Sequence, residues 1–512
     1  MNMEANMKRE LPWGSDTVWV ATSIACLLLY PVAVALYRIH FHPLSPFPGP
    51  TLWIVTRLAF VQSMLRGHNI RDVARIHEKY GDIVRIAPNE LSFAKTEAWN
   101  DIFAHRPGQK EFPRNPIWWS RPPGQPSSFI TANDVDHARM RRVLGNAFSE
   151  KALREQEPIV QKYVRLLIKR LKEEVEGKPG GAVVNIVDWY RYCTFDIIGD
   201  LNFDESFDCL SNGRYHWWIA GIFNVFKISA FLACIRFFPL LESVFLLCIP
   251  RRMQDLQKKH YQAVVDKTQR RLKKGFDRPD IMSYIMRNNG PKGMTIPEIE
   301  SSLNVLCVGG SHNSSSTMSG ITNYLVKNPD CLEKLAEEVR TAHKSADEIT
   351  FASLLRLSYL NAVIEEGLRM APPFPAGLPR CVPEGGATVC GHWLPAGTHV
   401  QVNSWSLQRV SSAFALPNQF LPERWLATND PKSRFANDNK AASQQFSVGP
   451  RRCLGEGFAY AEMRLMLASM VYAFDIKPVD SPAGRLDWAS QKTYMVVEED
   501  AFDVRLLFSD QR

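Results

Sequence analysis

Hydrophobic and polar positions along the chain repeat more often with the period of a helix than with that of a strand. Segments with apolar residues at helical spacing predict α-helices, and short apolar runs between Pro and Gly turns predict β-strands. The predicted helices cover 69–80, 136–148, 159–176, 254–274, 296–327, 331–345 and 353–370, and the predicted strands cover 83–86, 90–93, 388–389 and 400–402. Because helical segments dominate and no internal repeat is present, the pattern predicts a mainly α fold with small β-sheets.

A run of 21 residues without charge, 17–37, lies near the N-terminus. As a helix it would span about 30 Å, the hydrocarbon thickness of a bilayer. Trp13, Trp19 and Tyr37 lie near its ends, where aromatic side chains favour the membrane interface. The run is long for a signal-peptide core and has no clear cleavage site, so it predicts a single transmembrane anchor preceded by a tail, residues 1–16.

Residues 38–50 follow the anchor and contain Pro43, Pro46, Pro48 and Pro50. Closely spaced prolines exclude a helix, so this segment predicts a semi-rigid linker. No other break of this kind occurs, and residues 51–512 are expected to form one large domain. Within it, the apolar stretch 217–250 is interrupted by charged residues, which favours a surface that dips into the bilayer over a second span.

Composition narrows the range of functions. The chain has 512 residues, a net charge of +8 and ten cysteines. The basic residues are spread without a long run, which gives nucleic-acid binding little support. The cysteines form no CxxC pair and no regular framework, which indicates a reducing, cytosol-facing body.

The strongest chemical motif surrounds Cys453. Phe446, Gly449, Arg451, Cys453 and Gly455 fit the pattern F-x-x-G-x-R-x-C-x-G. A thiolate binds metal and is favoured by a helix N-terminus and nearby arginine, while an aromatic cover controls access of solvent to the sulfur. The alternative is a structural cysteine beside a helix cap, but five matched positions disfavour it.

This stretch resembles the heme-thiolate loop of the cytochrome P450 family. Segments 37–44, 47–50, 79–91 and 148–157 are similar to the filamentous-fungal microsomal enzymes of secondary metabolism, the group that includes isotrichodermin C-15 hydroxylase. The resemblance implies the cytochrome P450 fold and heme b with Cys453 as the axial ligand of its iron. It also implies an NADPH-cytochrome reductase as electron donor, an apolar small-molecule substrate, and an endoplasmic reticulum anchor with the catalytic domain in the cytosol.

The resemblance also assigns supporting residues. His137 and Arg141, one helical turn apart, and Arg380 are expected to contact the heme propionates, because arginine binds carboxylate in a bidentate manner. Phe446, Arg451 and Gly455 complete the expected cofactor-binding set. Glu366, Arg369 and Arg424 are expected to form a buried charge network that fixes the loop before Cys453. The Pro-rich loop 106–130 is either a lid over the pocket or a packed surface loop.

The central helix departs from the family pattern A/G-G-x-D/E-T-T/S, in which an acid and an alcohol relay protons. Here the sequence reads Gly309-Gly-Ser-His-Asn-Ser314. His312 stands at the acid position, Asn313 at the first alcohol position, and Ser314 keeps a hydroxyl. Because histidine carries protons near neutral pH, His312, Asn313 and Ser314 are the candidate catalytic residues of a rebuilt relay.

Three functions follow from these observations. The first is a monooxygenase that hydroxylates or epoxidises an apolar metabolite with electrons from the reductase. The second is a heme-thiolate enzyme that rearranges, dehydrates or cyclises its substrate without net oxygen insertion, which would relax the need for the acid and alcohol pair. The third is a non-catalytic heme-binding member, which the intact Cys453, Glu366 and Arg369 disfavour.

Overall fold

The computed structural model describes residues 15–121, 124–222, 225–426 and 430–509. Most of the predicted N-terminal tail and the prolines at 122–123 lie outside these ranges. The α-helices are α1 (Ser15–Leu36), α2 (Thr51–Val55), α3 (Leu58–Leu65), α4 (Asn69–Tyr80), α5 (Glu97–Phe103), α6 (Asp134–Leu144), α7 (Glu150–Val175), α8 (Ile186–Phe203), α9 (Cys209–Asn212), α10 (Trp217–Ile222), α11 (Val225–Arg236), α12 (Pro239–Cys248), α13 (Arg251–Leu272), α14 (Ile281–Arg287), α15 (Ile296–Lys327), α16 (Pro329–Ala342), α17 (Phe351–Leu354), α18 (Ser358–Met370), α19 (Ser404–Leu407) and α20 (Glu456–Ala473).

Within the described ranges, four small sheets accompany the helices. The strands are β1 (Ile83–Ala87), β2 (Glu90–Phe93), β3 (Ala182–Asn185), β4 (Arg380–Cys381), β5 (Ala387–Val389), β6 (His392–Leu394), β7 (His399–Val402), β8 (Phe474–Pro478), β9 (Thr493–Tyr494), β10 (Val496–Val497) and β11 (Asp503–Phe508). The largest sheet has the order β1-β2-β7-β4, and only its β2 and β7 run parallel among the described pairings. The expectation of a mainly α fold with small sheets is confirmed.

The core forms around α15, which packs against α8, α18 and α20. Its N-terminus carries a capping box in which Thr295 and Glu298 exchange hydrogen bonds. Close packing against α18 depends on Gly367, where an added Cβ would lie 2.1 Å from Ile321 Cγ1. The predicted bounds of this helix, 296–327, are confirmed.

Other predicted helix bounds need correction. Helix α7 begins at Glu150, because Ser149 caps it, and continues through Pro158, where the sequence predicted a start only at 159. The predicted helix 136–148 is α6, capped by Asn133, followed by a 3-10 turn. Helix α8 was not predicted, because nearly every residue in it is buried and no polar face marks the helical period.

At the N-terminus, one helix within the described ranges is long and apolar enough to cross a membrane, Val18–Phe41. Its residues from Val18 onward are mostly exposed, as expected for a lipid-facing helix. The Pro-rich segment after it packs on the body, with Leu44 and Phe47 buried. Arg85 donates to the carbonyl oxygen of Arg38 at 2.7 Å, so this segment is held against the β1-β2 sheet.

Helix α12 presents leucines to the outside. Leu240 and Leu247 are 85% and 88% exposed, and Leu241 and Val244 are also exposed. A contiguous apolar surface of this kind on a protein with an apolar anchor is typical of a membrane-contacting face. The position of α12 agrees with the surface expected within 217–250.

Candidate active site

Cys453 ends a short loop that leads into α20. Its backbone N–H donates to the carbonyl oxygen of Phe446 at 2.8 Å, which closes residues 446–453 into a compact turn. Gly449 has φ +78°, and a Cβ there would lie 1.9 Å from the carbonyl oxygen of Phe103. Because only glycine fits this approach, the loop is fixed against the end of α5.

The Cys453 side chain is exposed, yet it lies deep enough in the protein that desolvation raises the pKa of its thiol. The backbone N–H of Gly455 and the guanidinium groups of Arg141 and Arg452 favour the thiolate instead. A coordinated metal ion deprotonates a thiol outright. An accessible sulfur in this setting is suited to be a ligand, unlike a structural cysteine packed in a core.

Two further residues of the motif flank the cysteine. The ring of Phe446 packs against that of Tyr460, with centroids 5.1 Å apart. Gly455 is the N-cap of α20 at φ −92°, which any residue can adopt. The need for glycine at 455 therefore does not come from the backbone conformation.

Basic side chains from four segments converge at this loop. They are Arg114 from the 106–130 loop, His137 and Arg141 from α6, Arg380 from β4, and Arg451. Arg114 and Arg380 form a backbone bridge. Arg141 donates to the carbonyl oxygen of Arg452 at 2.7 Å, which connects the cluster to the cysteine loop.

These basic groups lie close enough together that each makes the protonated form of its neighbours less favourable. Burial and the neighbouring Arg451 lower the pKa of Arg380 to about 10, and burial and Arg380 hold the pKa of Arg114 well below its usual value. Burial and Arg451 lower the pKa of His137 to about 4. The carboxylate of Asp134 accepts from Arg451 at 2.7 Å, but this side chain is 58% exposed. The cluster therefore carries buried positive charge that Asp134 offsets only in part.

The cluster also has unused donors. Arg380 Nε and Arg451 Nη1 are buried and find no hydrogen-bond partner among the described residues. Buried cations with unpaired donors favour an anionic ligand, and the two carboxylates of a heme meet this requirement. The residues present therefore fit the heme that the sequence motif implies.

The sequence analysis missed Arg114. It lies in a Pro-rich loop without periodicity, so no pattern distinguished it from exposed arginines. Its Nη1 donates to the carbonyl oxygen of Ile130 at 2.5 Å, and its guanidinium lies 4.7 Å from the ring of Trp119. Trp118 is buried beside Phe237. The described part of this loop is thus packed on the body.

Helix α15 opens to accessible space on one face at mid-length. Gly309 is exposed, and a Cβ there would meet no described atom within 4 Å. Asn313 lies four residues later on the same face and donates to the carbonyl oxygen of Gly309 at 3.0 Å. This face is the place where a planar cofactor and a small molecule can approach the helix.

The three predicted distal residues point in different directions. Asn313 lies on the open face. His312 is buried beside Phe226, with ring centroids 5.6 Å apart. Ser314 faces Glu462 of α20, whose pKa burial raises to about 8 although the Ser314 hydroxyl lowers it. The structure therefore does not gather them into one contiguous set.

Glu366, Arg369 and Arg424 lie together and are fully buried. Arg369 donates to both Glu366 oxygens at 2.7 and 2.8 Å, and Arg424 donates to Oε1 at 3.1 Å. Burial opposes ionisation of Glu366, but the two arginines outweigh it and its pKa is lowered. Asp438, which sequence reasoning missed, pairs with Arg424 and balances the second positive charge. The cluster ties α18 to the segment that leads to Cys453.

Comparisons with known proteins cover almost the whole chain. A family model described as Cytochrome P450 matches residues 46–494. Cytochrome P450 monooxygenase astJ of Aspergillus oryzae is 40% identical over 465 residues, 91% of this chain and 92% of the relative. Averantin hydroxylase of Dothistroma septosporum is 40% identical over 488 residues, 94% of this chain and 90% of the relative. Cytochrome P450 monooxygenase atr2 of Stereocaulon alpinum is 40% identical over 470 residues, 92% of each chain.

Proposed function

The chain belongs to the cytochrome P450 family and is a monooxygenase of that family, and we propose that it hydroxylates or epoxidises an apolar small molecule in fungal secondary metabolism. One observation carries the proposal. The accessible Cys453 sulfur lies beside a cluster of buried arginines whose charge the described carboxylates offset only in part. A thiolate ligand next to a carboxylate-binding cluster is the donor set that a heme-thiolate enzyme requires.

The cofactor in this proposal is heme b, held by Cys453 through its iron. When bound, the heme supplies dioxygen activation, and a thiolate ligand favours cleavage of the O–O bond. Arg114, His137, Arg141, Arg380 and Arg451 would hold the propionates, and Arg141 also donates to the carbonyl oxygen of Arg452 in the cysteine loop. His137 is neutral near pH 7, because its lowered pKa is about 4, so it binds as a hydrogen-bonding group rather than as a cation.

The substrate pocket is proposed to lie over the open face of α15. Phe226, which packs against His312 of this helix, meets Phe374 edge to face with ring centroids 5.7 Å apart. Such side chains would bind apolar surface and exclude water. His312, Asn313 and Ser314 are proposed to take part in proton delivery on this side, with Asn313 nearest to the reacting molecule.

The membrane and the electron donor complete the proposal. The helix Val18–Phe41 would anchor the chain in the endoplasmic reticulum with the body in the cytosol, and α12 would rest on the bilayer. Arg142 of α6 and Arg452 of the cysteine loop are exposed. Exposed arginines of this kind are suited to dock the acidic surface of an NADPH-cytochrome reductase.

The residue at position 313 supports a second candidate function. Asn313 replaces the alcohol that the family usually has at the open face of α15. An enzyme that rearranges, dehydrates or cyclises its substrate needs no such alcohol. Such an enzyme would use the same heme and Cys453, but it would not insert oxygen into its substrate.

The test compares product formation from a panel of apolar metabolites under isotopically labelled dioxygen, with and without NADPH and reductase. Averantin opens the panel because one relative is named for its hydroxylation. The proposal predicts labelled product only with NADPH and reductase, and none from the Cys453→Ala variant. Equal amounts of unlabelled product without reductant would contradict oxygen insertion and support the alternative.

A further inference from the structure

His312 faces a carboxylate that the sequence pattern does not reveal. Its Nδ1 lies 3.7 Å from Glu499 Oε1. Glu499 belongs to the segment between β10 and β11, and its carboxylate pairs with Arg191 of α8 at 2.9 Å. His312 and Glu499 are buried and Arg191 nearly so. Three separate parts of the chain therefore place an imidazole, a carboxylate and a guanidinium in contact behind the open face of α15.

The charges of the three groups are coupled. Glu499 and Arg191 neutralise each other, which makes a buried carboxylate tolerable at this place. Burial lowers the pKa of His312, Glu499 raises it, and Arg191 lowers it again. Phe226 of α11 covers the ring on another side. His312 is therefore neutral at physiological pH, with Glu499 as the group that stabilises its protonated form.

Two polar atoms beside this triad are unused. His312 Nε2 and Asn313 Oδ1 are both buried, and neither has a hydrogen-bond partner in the part of the chain that the structure describes. They belong to consecutive residues, and Asn313 reaches the open face of α15. A neutral imidazole with Nδ1–H toward Glu499 presents the Nε2 lone pair as an acceptor. Each of these unpaired acceptors can accept a hydrogen bond from water, so water can connect the triad with the open face.

We propose that Glu499 supplies, from the C-terminal segment, the carboxylate that position 312 lacks, and that His312 carries protons to the distal face with Glu499 and Arg191 as positioning residues. The inference rests on the proposed monooxygenase function, since that reaction consumes protons at this face. His312 Nε2 accepts one proton that solvent supplies as hydronium, Glu499 stabilises the imidazolium, and Nε2 then donates that proton to the water beside Asn313, which passes it to the distal face. The transfer leaves the triad unchanged.

The adjacent residue offers a matched control. Glu498 pairs with Lys227 at 2.7 Å, and both side chains are more than a third exposed. The substitutions Glu498→Gln and Glu499→Gln thus remove the same charge from neighbouring positions. Only the second removes it from the surroundings of His312.

The first experiment measures hydrogen peroxide released per NADPH oxidised by full-length protein with reductase and no added substrate. When protons are delivered poorly, more of the reduced dioxygen leaves the enzyme as hydrogen peroxide. We expect Glu499→Gln to raise this ratio severalfold and to shift its pH profile, whereas Glu498→Gln leaves both unchanged. The double variant His312→Asp/Glu499→Gln returns one carboxylate to the site and should lower the ratio toward that of the wild type. An unchanged ratio and profile in Glu499→Gln would overturn the proposal.

The second experiment needs no turnover. Because the folded-state pKa of His312 lies below its unfolded value, His312 costs stability as pH falls through about 6.5. Glu499→Gln lowers that folded-state pKa further. Both proteins should lose stability in parallel as pH falls below about 6.5, and the melting midpoint of the variant should fall increasingly below that of the wild type once the pH approaches the folded-state pKa of wild-type His312. The growing difference between the two melting midpoints should vanish when the wild type and the Glu499→Gln variant each also carry His312→Gln.

The two experiments separate the inference from the proposed function. A wild type that consumes no NADPH with reductase contradicts the function, while the melting measurement still tests the coupling of His312 and Glu499. A gap between wild type and Glu499→Gln that stays constant with pH would reduce the triad to a structural contact and overturn the proposal.

Discussion

Two kinds of side chain near Cys453 are proposed to hold the cofactor. They are the thiol of Cys453 and a set of basic groups. The thiol keeps a raised pKa until a metal binds, whereas the cations are held close together against their mutual repulsion. This cost is offset only when an anionic ligand is present. We therefore propose that these residues hold the heme, and that binding of its carboxylates offsets the cost of keeping the basic groups together.

Arg114 gives the first prediction at this scale. Arg114→Gln should lower the heme content of the purified protein, because it removes a half-buried cation from the group of basic side chains proposed to bind the propionates. Arg121→Gln is the matched control, since Arg121 lies in the same loop but is exposed, and its side chain bonds only Ser127 among the contacts described. Heme content is measured by absorbance per protein. Equal heme content in the two variants would contradict a role of Arg114 in heme binding.

Residue identity predicted part of this site and could not predict the rest. Cys453, His137, Arg380 and Arg451 were found because a motif or the family resemblance fixes their positions. Arg114, Asp438 and Glu499 were missed because no local period or motif spacing marks the contacts that each of them makes. Such partners become visible only when the fold brings separate segments together.

One buried ion cluster connects helix α18 with the segment that precedes the cysteine loop. Glu366 on α18 receives bonds from Arg369, Arg424, the backbone of Leu421 and the indole of Trp425. All of these except the first belong to the segment before the cysteine loop. The cluster therefore fixes the approach to Cys453 against a rigid helix.

Glu366→Gln should destabilise the protein by about 3 to 5 kcal/mol, because it leaves two buried guanidinium groups with one carboxylate. Glu423→Gln should cost about 0 to 1 kcal/mol, since its pair with Lys334 is partly exposed. Thermal unfolding of both variants measures the difference. A Glu366→Gln protein that melts with the wild type would contradict a stabilising role for the cluster.

Element prediction succeeded where a helix has caps and a polar face. The ends of α15 follow from Thr295, Glu298 and the polar residues after Lys327. Helix α8 has no such signal, because it is buried on almost every side. Helix α7 continues past Pro158, since the packing of its neighbours outweighs the local preference for a break.

The whole molecule combines an apolar anchor with an apolar face on α12. We propose that together they hold the body against a bilayer, where an apolar substrate would be concentrated. The large exposed leucines of α12 are otherwise difficult to reconcile with a body that contacts only water.

A fluorescent amino acid placed at Leu247 should therefore be quenched by lipids that carry a quencher in their acyl chains. The same probe at Leu355, which is also exposed, serves as the control. The measurement uses full-length protein in lipid nanodiscs. Equal quenching at the two positions would show that α12 does not enter the bilayer.

The claim that Cys453 binds a heme as thiolate is tested most directly by the spectrum of reduced, carbon-monoxide-treated full-length protein. We expect the red-shifted Soret band of a thiolate-ligated heme in the wild type, and its loss in Cys453→Ala. A wild-type band at the position of a heme without thiolate, or an unchanged band in the variant, would contradict the assignment of Cys453.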